Sequence, residues 1–151
     1  MKSVYIKFTI IWIVLLVITS CKHEFEKLPA SKTDAVKIDI ATKLSISYFE
    51  TLKSGDSYDF RNIATKGFYE KMNSSVQKQT YEEITQQFGQ LISVKYDATW
   101  VKKTTPQFEI IRLVGQFEKS ISPLEIRVII NKDNKISGFW IKPWRNNLNN
   151  Y

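Results

Sequence analysis

The stretch that decides the fold is LISVKYDATW, residues 91–100, in which apolar and polar side chains alternate. The apolar parity consists of Ile92, Val94, Tyr96, Ala98 and Trp100. Because successive side chains of a strand point to opposite faces, this period of two predicts a half-buried β-strand. Before Gly89 the apolar residues recur about every four positions instead, so a helical part precedes a sheet.

Three further strand patterns follow at short intervals, at residues 107–118, 124–130 and 135–142. The polar run NKDN, residues 131–134, joins the last two as a hairpin connection rich in Asn and Asp. Four consecutive strands with short connections predict an antiparallel meander.

The longest helical pattern covers residues 33–53, with an apolar stripe that recurs every four residues. The stripe consists of Val36, Ile40, Leu44, Tyr48 and Leu52. Thr33 or Asp34 is the expected N-cap, and Gly55 is expected to end the helix.

A later helix is predicted from TYEE, residues 80–83, which fits a capping box in which the Thr hydroxyl and the last Glu satisfy backbone amides. Gly89 is expected to stop this helix. Helices followed by consecutive strands predict the α+β class, with N-terminal helices packed on a four-stranded antiparallel sheet.

Three stretches carry a family resemblance: YFETLKSGDSYDF at 48–60, YEEITQQFGQL at 81–91 and VIINKDNKISGFWIKP at 128–143. Together they resemble the nuclear-transport-factor-like, cystatin-like cone fold, and most closely a family of uncharacterised small domains in bacterial lipoproteins or ahead of hydrolases. Asn134 stands where that family often has Gly. The resemblance implies a domain over residues 33–144, with a curved sheet and helices that close a cone. Its motifs are structural and transfer no catalytic role.

The N-terminus has the pattern of an export signal, residues 1–20. Basic residues are followed by eleven residues, 8–18, of which only Thr9 is polar, and this length fits a secretory signal. The sequence ITSC at 18–21 resembles a bacterial lipobox, which implies a diacylglycerol on Cys21. The chain is therefore expected to be exported and lipid-anchored in the bacterial envelope, at the outer membrane and facing the periplasm or the surface. A plain signal peptide and an uncleaved anchor helix are the alternatives.

The polar residues 21–32 are interpreted as the acylated cysteine and a flexible tether, and residues 145–151 as a frayed tail. The chain has 22 Lys and Arg against 15 Asp and Glu, a formal charge of +7. These basic residues are spread along the chain, whereas nucleic-acid binders cluster them, so no nucleic-acid partner is expected. The membrane, reached through the lipid on Cys21, is the expected contact.

Histidine and cysteine chemistry is nearly excluded by composition. Cys21 is the only Cys, so no disulfide forms within the chain, and His23 is the only His. Nucleophilic triads need a His beside Ser or Cys, but His23 lies in the tether, and Cys/His metal sites need more than these two residues. No catalytic residue, metal or cofactor is therefore assigned. Carboxylates remain a possible acid/base pair: Glu82, Glu83, Glu109, Glu118 and Glu125.

The aromatic residues favour a ligand pocket, because Trp is rarely fully buried and often lines binding sites. The candidate lining residues are Tyr48, Tyr96, Trp100, Phe108 and Trp140. Core packing of the same residues is the alternative. The favoured function is non-catalytic binding of a small molecule, peptide or protein. An enzyme with carboxylates and Tyr in the cone and an accessory subunit of an envelope assembly remain open.

The strand at 107–118 is apolar on both parities, although one face of an antiparallel sheet is usually solvated. One parity contains Phe108, Ile110 and Val114, and the other contains Ile111, Leu113 and Phe117. Helices cover only one face, so the outer face needs another cover. A homodimer or an envelope protein partner would supply it; alternatively, Trp140 and the tail fold back over it.

Overall fold

Five antiparallel strands form one open sheet in the computed structural model, which describes residues 24–146 and 148, and three α-helices accompany it. The sheet order follows the chain order, as expected for a meander. The elements are β1 (Phe25–Lys27), a 3₁₀ helix (Ala30–Lys32), α1 (Ala35–Lys53), α2 (Lys66–Tyr69), α3 (Ser74–Phe88), β2 (Leu91–Lys102), β3 (Thr105–Phe117), β4 (Leu124–Asn131) and β5 (Ile136–Pro143). The α+β class is confirmed; the predicted number of strands, four, is wrong. The signal segment and Cys21 lie outside the described residues.

The additional strand is β1, which lies in the segment interpreted as a tether. Phe25 pairs with Lys102, and Lys27 pairs with Trp100, at the edge of β2. The Leu28 amide donates to the Thr99 carbonyl at 2.9 Å and extends this pairing. Three residues are too few to show a period of two, so the sequence pattern could not reveal this strand.

Helix α1 begins at the expected place because Asp34 caps it. One carboxylate oxygen of Asp34 accepts hydrogen bonds from the amides of Val36 at 2.9 Å and Lys37 at 3.4 Å. The other candidate, Thr33, instead donates its hydroxyl to the Ala30 carbonyl. Asp34 is therefore the N-cap, as its carboxylate satisfies amides that the first turn leaves unpaired.

The predicted start of the later helix is wrong. Helix α3 begins at Ser74, where the Asn73 side chain caps it by accepting from the Val76 amide at 3.0 Å. Thr80 lies inside the helix. A Thr with Glu three residues later also occurs in helix interiors, so this pattern alone did not locate the start of the helix. The predicted end is confirmed: Gly89 is the C-cap, with φ +78° in the region that glycine tolerates best.

The helices cover one face of the sheet, called here the inner face. Helix α1 packs its buried side chains against β2, β3 and β4, and Tyr48 also contacts Phe139 on β5, in one apolar cluster. Its largest members include Tyr48, Phe49, Phe117, Ile126 and Ile130. Tyr48 lies at its centre, with its ring centroid 5.0 Å from that of Phe139 and 5.6 Å from that of Phe49.

A bulge in β2 moves half of the alternating pattern to the opposite face of the sheet. Tyr96 pairs with Leu113 and Ala98 pairs with Arg112, so Asp97 is an extra residue without a partner in the register. Val94 and Tyr96 consequently face the inner cluster, whereas Ala98 and Trp100 lie on the outer face. The prediction that all five alternating apolar residues of this strand lie on one face is wrong, because the extra residue of the bulge reverses the face of the residues that follow it.

Residues 25–148 contain the strand pairings and both apolar clusters of the described structure. A chain that begins at Glu24 therefore keeps the contacts that hold this fold together. Within residues 24–146 and 148, no helix is long and apolar enough to cross a membrane.

Tyr48→Phe should raise the free energy of unfolding by about 1 kcal/mol, because the buried Tyr48 hydroxyl has no hydrogen-bond partner among the described residues. Burial raises the pKa of Tyr48 above its ordinary value. As pH rises, the hydroxyl of Tyr48 therefore loses its proton in the unfolded chain before it does so in the folded chain. The free energy of unfolding is unaffected by this group below about pH 10 and falls as the pH rises further. Tyr48→Phe should weaken that alkaline loss in urea titrations at pH 7 to 11.

Tyr81→Phe is the matched control, since the Tyr81 hydroxyl bonds to the Gln90 side chain at 2.8 Å. It should lower the free energy of unfolding by about 1 kcal/mol, the net contribution of one such bond. Equal and unfavourable effects of the two substitutions would contradict the assignment of Tyr48 as an unpaired hydroxyl.

Candidate functional site

The five predicted lining residues do not form one pocket. Tyr48 and Tyr96 lie on the inner face, where they pack in the core under the helices. Trp100, Phe108 and Trp140 lie on the outer face, as their strand pairings show. Of these three, Phe108 and Trp140 line a common groove, and Trp100 packs beside it against Ile110.

This outer groove has a volume of about 530 Å³ and runs across the strands. The residues that line it are Phe25, Lys102, Phe108, Ile110, Arg127, Ile129, Ser137, Trp140 and Lys142. Ile110 and Ile129 are direct partners in the register of β3 and β4, so they form the centre of its floor. Phe25 and Phe108 lie toward one side, and Trp140 lies toward the other.

The Trp140 ring lies against the sheet because Gly138 beneath it has no side chain. A Cβ added to Gly138 would collide with the Trp140 indole ring, so the ring lies directly over this glycine. The indole remains 44% exposed, which is unusual for so large an apolar group. It therefore presents an aromatic wall that a ligand can contact.

The residues after β5 cover a neighbouring part of the outer face and form a C-terminal strap, residues 144–146 and 148. Leu148 is buried against Ala98, Trp100 and Ile110, and the Trp144 ring centroid lies 4.0 Å from the guanidinium carbon of Arg112. Apolar groups on the outer face thus hold the described part of the tail, as in the alternative in which the tail folds back over this face, and residues 147 and 149–151 lie outside the described residues. The groove beyond Ile110 stays open.

A buried ionic network lies beneath the strap and beside the groove. Arg112 is paired with Glu125 at 3.4 Å and with Asp97 at 3.6 Å, and one of its nitrogens donates to the Arg145 carbonyl. Arg127 donates two hydrogen bonds to Glu125, at 2.6 and 2.8 Å. Glu125 and Arg112 are each about 1% exposed, so Glu125 compensates two arginines in a medium that screens charge weakly.

Basic side chains border the groove. Lys102, Arg127 and Lys142 all line it, and the described lining contains no acidic side chain. Lys102 forms an ion pair with Glu24, as Arg127 does with Glu125. Ser137 also lines the groove, but its hydroxyl oxygen is buried and has no hydrogen-bond partner among the described residues. The groove is therefore apolar in its floor and basic in its border.

Sequence reasoning did not identify Phe25, Ile129, Arg127 or Lys142 as site residues. These residues lie on three strands, β1, β4 and β5, and only the strand pairing places them next to Phe108 and Trp140. The sequence does show that Arg127 and Ile129, two positions apart, lie on one face of β4. It does not show which residues of β3 and β5 lie beside them, because that depends on the register of the strands.

The carboxylates considered as an acid/base pair do not converge. Glu109 faces α1 and pairs with Lys37 at 2.5 Å, while Glu125 lies in the outer network. Glu118 accepts a hydrogen bond from the Gln90 amide, and Glu82 and Glu83 lie exposed on α3. Among residues 24–146 and 148, no three His, Cys, Asp or Glu side chains are grouped as a metal site.

A second hollow of about 510 Å³ lies between the end of α1 and the start of α3. Its lining is mostly exposed and polar, with Asp56, Ser74 and Lys78 among its members, and only Leu52 and Tyr81 offer large apolar surface. Such a lining lacks the apolar floor that ligand sites usually provide. The outer groove is accordingly the candidate site. Comparisons with protein-family models, with curated proteins and with solved structures find no match for this chain.

Proposed function

We propose that this chain is a lipid-anchored, exported binding module of the bacterial cell envelope that holds a small, largely apolar ligand in the outer groove without changing it chemically. The anchor rests on the resemblance of residues 18–21 to a lipobox. The domain is proposed to be a variant of the nuclear-transport-factor-like cone, with its binding site outside the cone.

The observation that carries this proposal is the open apolar floor beside the strap. Five large apolar side chains line a groove of about 530 Å³: Phe25, Phe108, Ile110, Ile129 and Trp140. Clefts that bind small molecules have volumes of about 300–1,000 Å³ and are lined mainly by such residues. Contiguous exposed apolar surface on a soluble domain marks a binding site. The carboxylates lie apart, which favours binding over acid/base catalysis.

The neutral fluorophore N-phenyl-1-naphthylamine should bind the chain from Glu24 onward and brighten. Gly138→Ala should weaken this binding about tenfold, a loss of about 1.4 kcal/mol, because the new Cβ displaces the Trp140 indole. The fold should persist, since the displaced ring is half-exposed. A fluorescence titration measures the affinity, and circular dichroism verifies the fold.

The matched control for this experiment is Gly67→Ala. A Cβ at Gly67 meets no atom within 4 Å, so this variant should bind the fluorophore like the parent chain. Absence of fluorophore binding by the folded parent chain, or equal affinities of the two alanine variants, would refute the groove as the site.

A protein partner on the same face is the second candidate, either another copy of the chain or an envelope protein. It is favoured by the exposed Trp140 on β5, since this strand lies at an edge of the sheet. Light scattering at tens of micromolar distinguishes these cases, because a homodimer through this face would double the mass and exclude the fluorophore.

A further inference from the structure

We infer, on the basis of the proposed binding function, that the outer groove takes a single straight alkyl chain and that Leu148 of the strap sets how long this chain can be. The chain lies across the strands, over Ile110 and Ile129. The Trp140 ring covers one end of its path, and Leu148 covers the other. Leu148 is therefore a specificity-determining residue of the groove.

The floor of the groove belongs to one row of outward side chains that runs across four strands. Ile110 is paired with Trp100 of β2 and with Ile129 of β4. Ile129 is in turn paired with Gly138 of β5. Residues that are paired in the register lie on the same face of a sheet. All four members of this row are apolar, so the row offers a continuous apolar path across the strands.

The apolar path is narrow as well as short. The next outward residues of β3 and β4 are Arg112 and Arg127, which are paired with each other in the register and both contact Glu125. On the other side of the path, Phe108 is paired with Asn131. A path one row wide accommodates a straight alkyl chain better than a branched or fused-ring molecule.

Both ends of the row are covered, whereas its middle is open. At the β5 end, the Trp140 indole lies directly over Gly138. At the β2 end, Trp100 is only 7% exposed and belongs to the buried cluster that includes Leu148. Ile110 lines the groove and is also a member of that cluster. Leu148 is therefore placed where the groove ends.

Contacts in the neighbouring row hold the cover at the β2 end in place. Arg112 is the next outward residue of β3 after Ile110, and it is about 1% exposed. The Trp144 ring centroid lies 4.0 Å from the guanidinium carbon of Arg112, and one of the guanidinium nitrogens donates to the Arg145 carbonyl. A cover that rests on buried contacts can act as a fixed end wall, because its position does not depend on the ligand.

The strand spacing gives the scale of the alkyl chain. Trp100 and Gly138 are three strands apart, a separation of about 14 Å at about 4.8 Å per strand. The two covers take up both ends of this distance, so the open part is too short for an extended dodecyl chain. Each methylene on the floor should tighten binding about fourfold, the effect of burying one such group. A methylene that finds no room there stays in water and should add nothing.

The test measures how tightly the straight-chain alcohols from hexanol to dodecanol displace N-phenyl-1-naphthylamine from the chain that begins at Glu24. Affinity should rise about fourfold for each methylene and then level off before dodecanol. The number of carbons at which it levels off is called here the limiting length. Because these alcohols share one uncharged head group, their affinities differ through length alone.

Leu148→Ala should increase the limiting length by about two carbons, because a smaller side chain uncovers the floor toward Trp100. Leu148→Phe should decrease it by about one carbon, since a larger side chain covers more of the floor. The phenylalanine variant leaves no cavity, so it tests the inference even where the alanine variant does not fold. Circular dichroism verifies the fold of both variants.

The matched control is Leu52→Ala. Leu52 is also a buried leucine, but it lies on α1 in the inner cluster, on the opposite face of the sheet. Both alanine variants lose a buried leucine side chain, yet only Leu148→Ala should change the limiting length. An equal increase in both variants would show that loosened packing admits longer chains, and would overturn the inference.

This inference and the proposed function fail in different ways. Affinities that keep rising about fourfold per methylene through dodecanol, or one limiting length for the parent chain and both Leu148 variants, would overturn the role of Leu148 and leave the groove as the site. Affinities that do not depend on chain length would overturn the alkyl chain as the occupant. Absence of fluorophore binding by the folded parent chain would overturn both.

Discussion

Replacement of Glu125 by glutamine should lower the free energy of unfolding by about 3–5 kcal/mol, the cost of leaving a buried charge without its partner. Glu125 is about 1% exposed and contacts both Arg112 and Arg127. A neutral amide keeps the shape of the carboxylate but removes the charge that compensates two guanidinium groups. Asp97 would then remain as the acidic partner of Arg112, at 3.6 Å.

Urea unfolding of the parent chain and the Glu125→Gln variant at pH 7 measures this difference. The matched control is Asp39→Asn, which removes one charge of the exposed pair with Lys43 at 2.8 Å. Exposed pairs contribute about 0–1 kcal/mol, so the control should change stability by less than about 1 kcal/mol. A similar small effect for both variants would show that the outer network does not stabilise the fold.

On the proposed lipobox interpretation of residues 18–21, Cys21→Ser should abolish lipid attachment and release the protein from the membrane or stall its export. A thioether requires the cysteine sulfur, and stable anchoring requires more than one acyl chain. Incorporation of labelled palmitate in cells and the distribution between membrane and soluble fractions measure the effect. Both should change from essentially complete to essentially none.

Ser20→Ala is the control for the anchor, because the lipobox commonly has a small residue such as Ala or Gly at this position. It should retain the label and the membrane fraction. Continued incorporation of labelled palmitate into Cys21→Ser would refute the lipobox interpretation of residues 18–21.

Several features with local causes were predicted correctly, although the capping box at residues 80–83 was not. The cap at Asp34, the end of a helix at Gly89 and the turn at 131–134 each depend on a few neighbouring residues. In that turn, Asn134 adopts φ +58°, and the Asn131 side chain accepts hydrogen bonds from the amides of Asp133 and Lys135 at 2.9 Å. Asn tolerates this backbone region better than most residues other than Gly, which explains its place in the turn.

Features that depend on distant partners were predicted poorly: strand β1 was not anticipated, and the packing of the tail on the outer face was only one of the alternatives. Strand β1 exists because the edge of β2 pairs with it, and its three residues have no periodic pattern of their own. The strap is ordered by a cluster that Leu148 joins with Ala98 and Trp100. Neither segment has enough apolar residues to indicate, in isolation, that it packs on the sheet.

The sequence by itself determined the α+β class, the order of helices and strands, and the apolar character of both parities of β3, because periodicity is a local property of the chain. The tertiary structure alone decided which aromatic residues form the candidate site. The bulge at Asp97 moves Ala98 and Trp100 to the face opposite Tyr96, and strand pairing brings Arg127 and Lys142 beside Trp140. A register shift of one residue reverses every later side chain, and no pattern within one strand encodes the position of its neighbour.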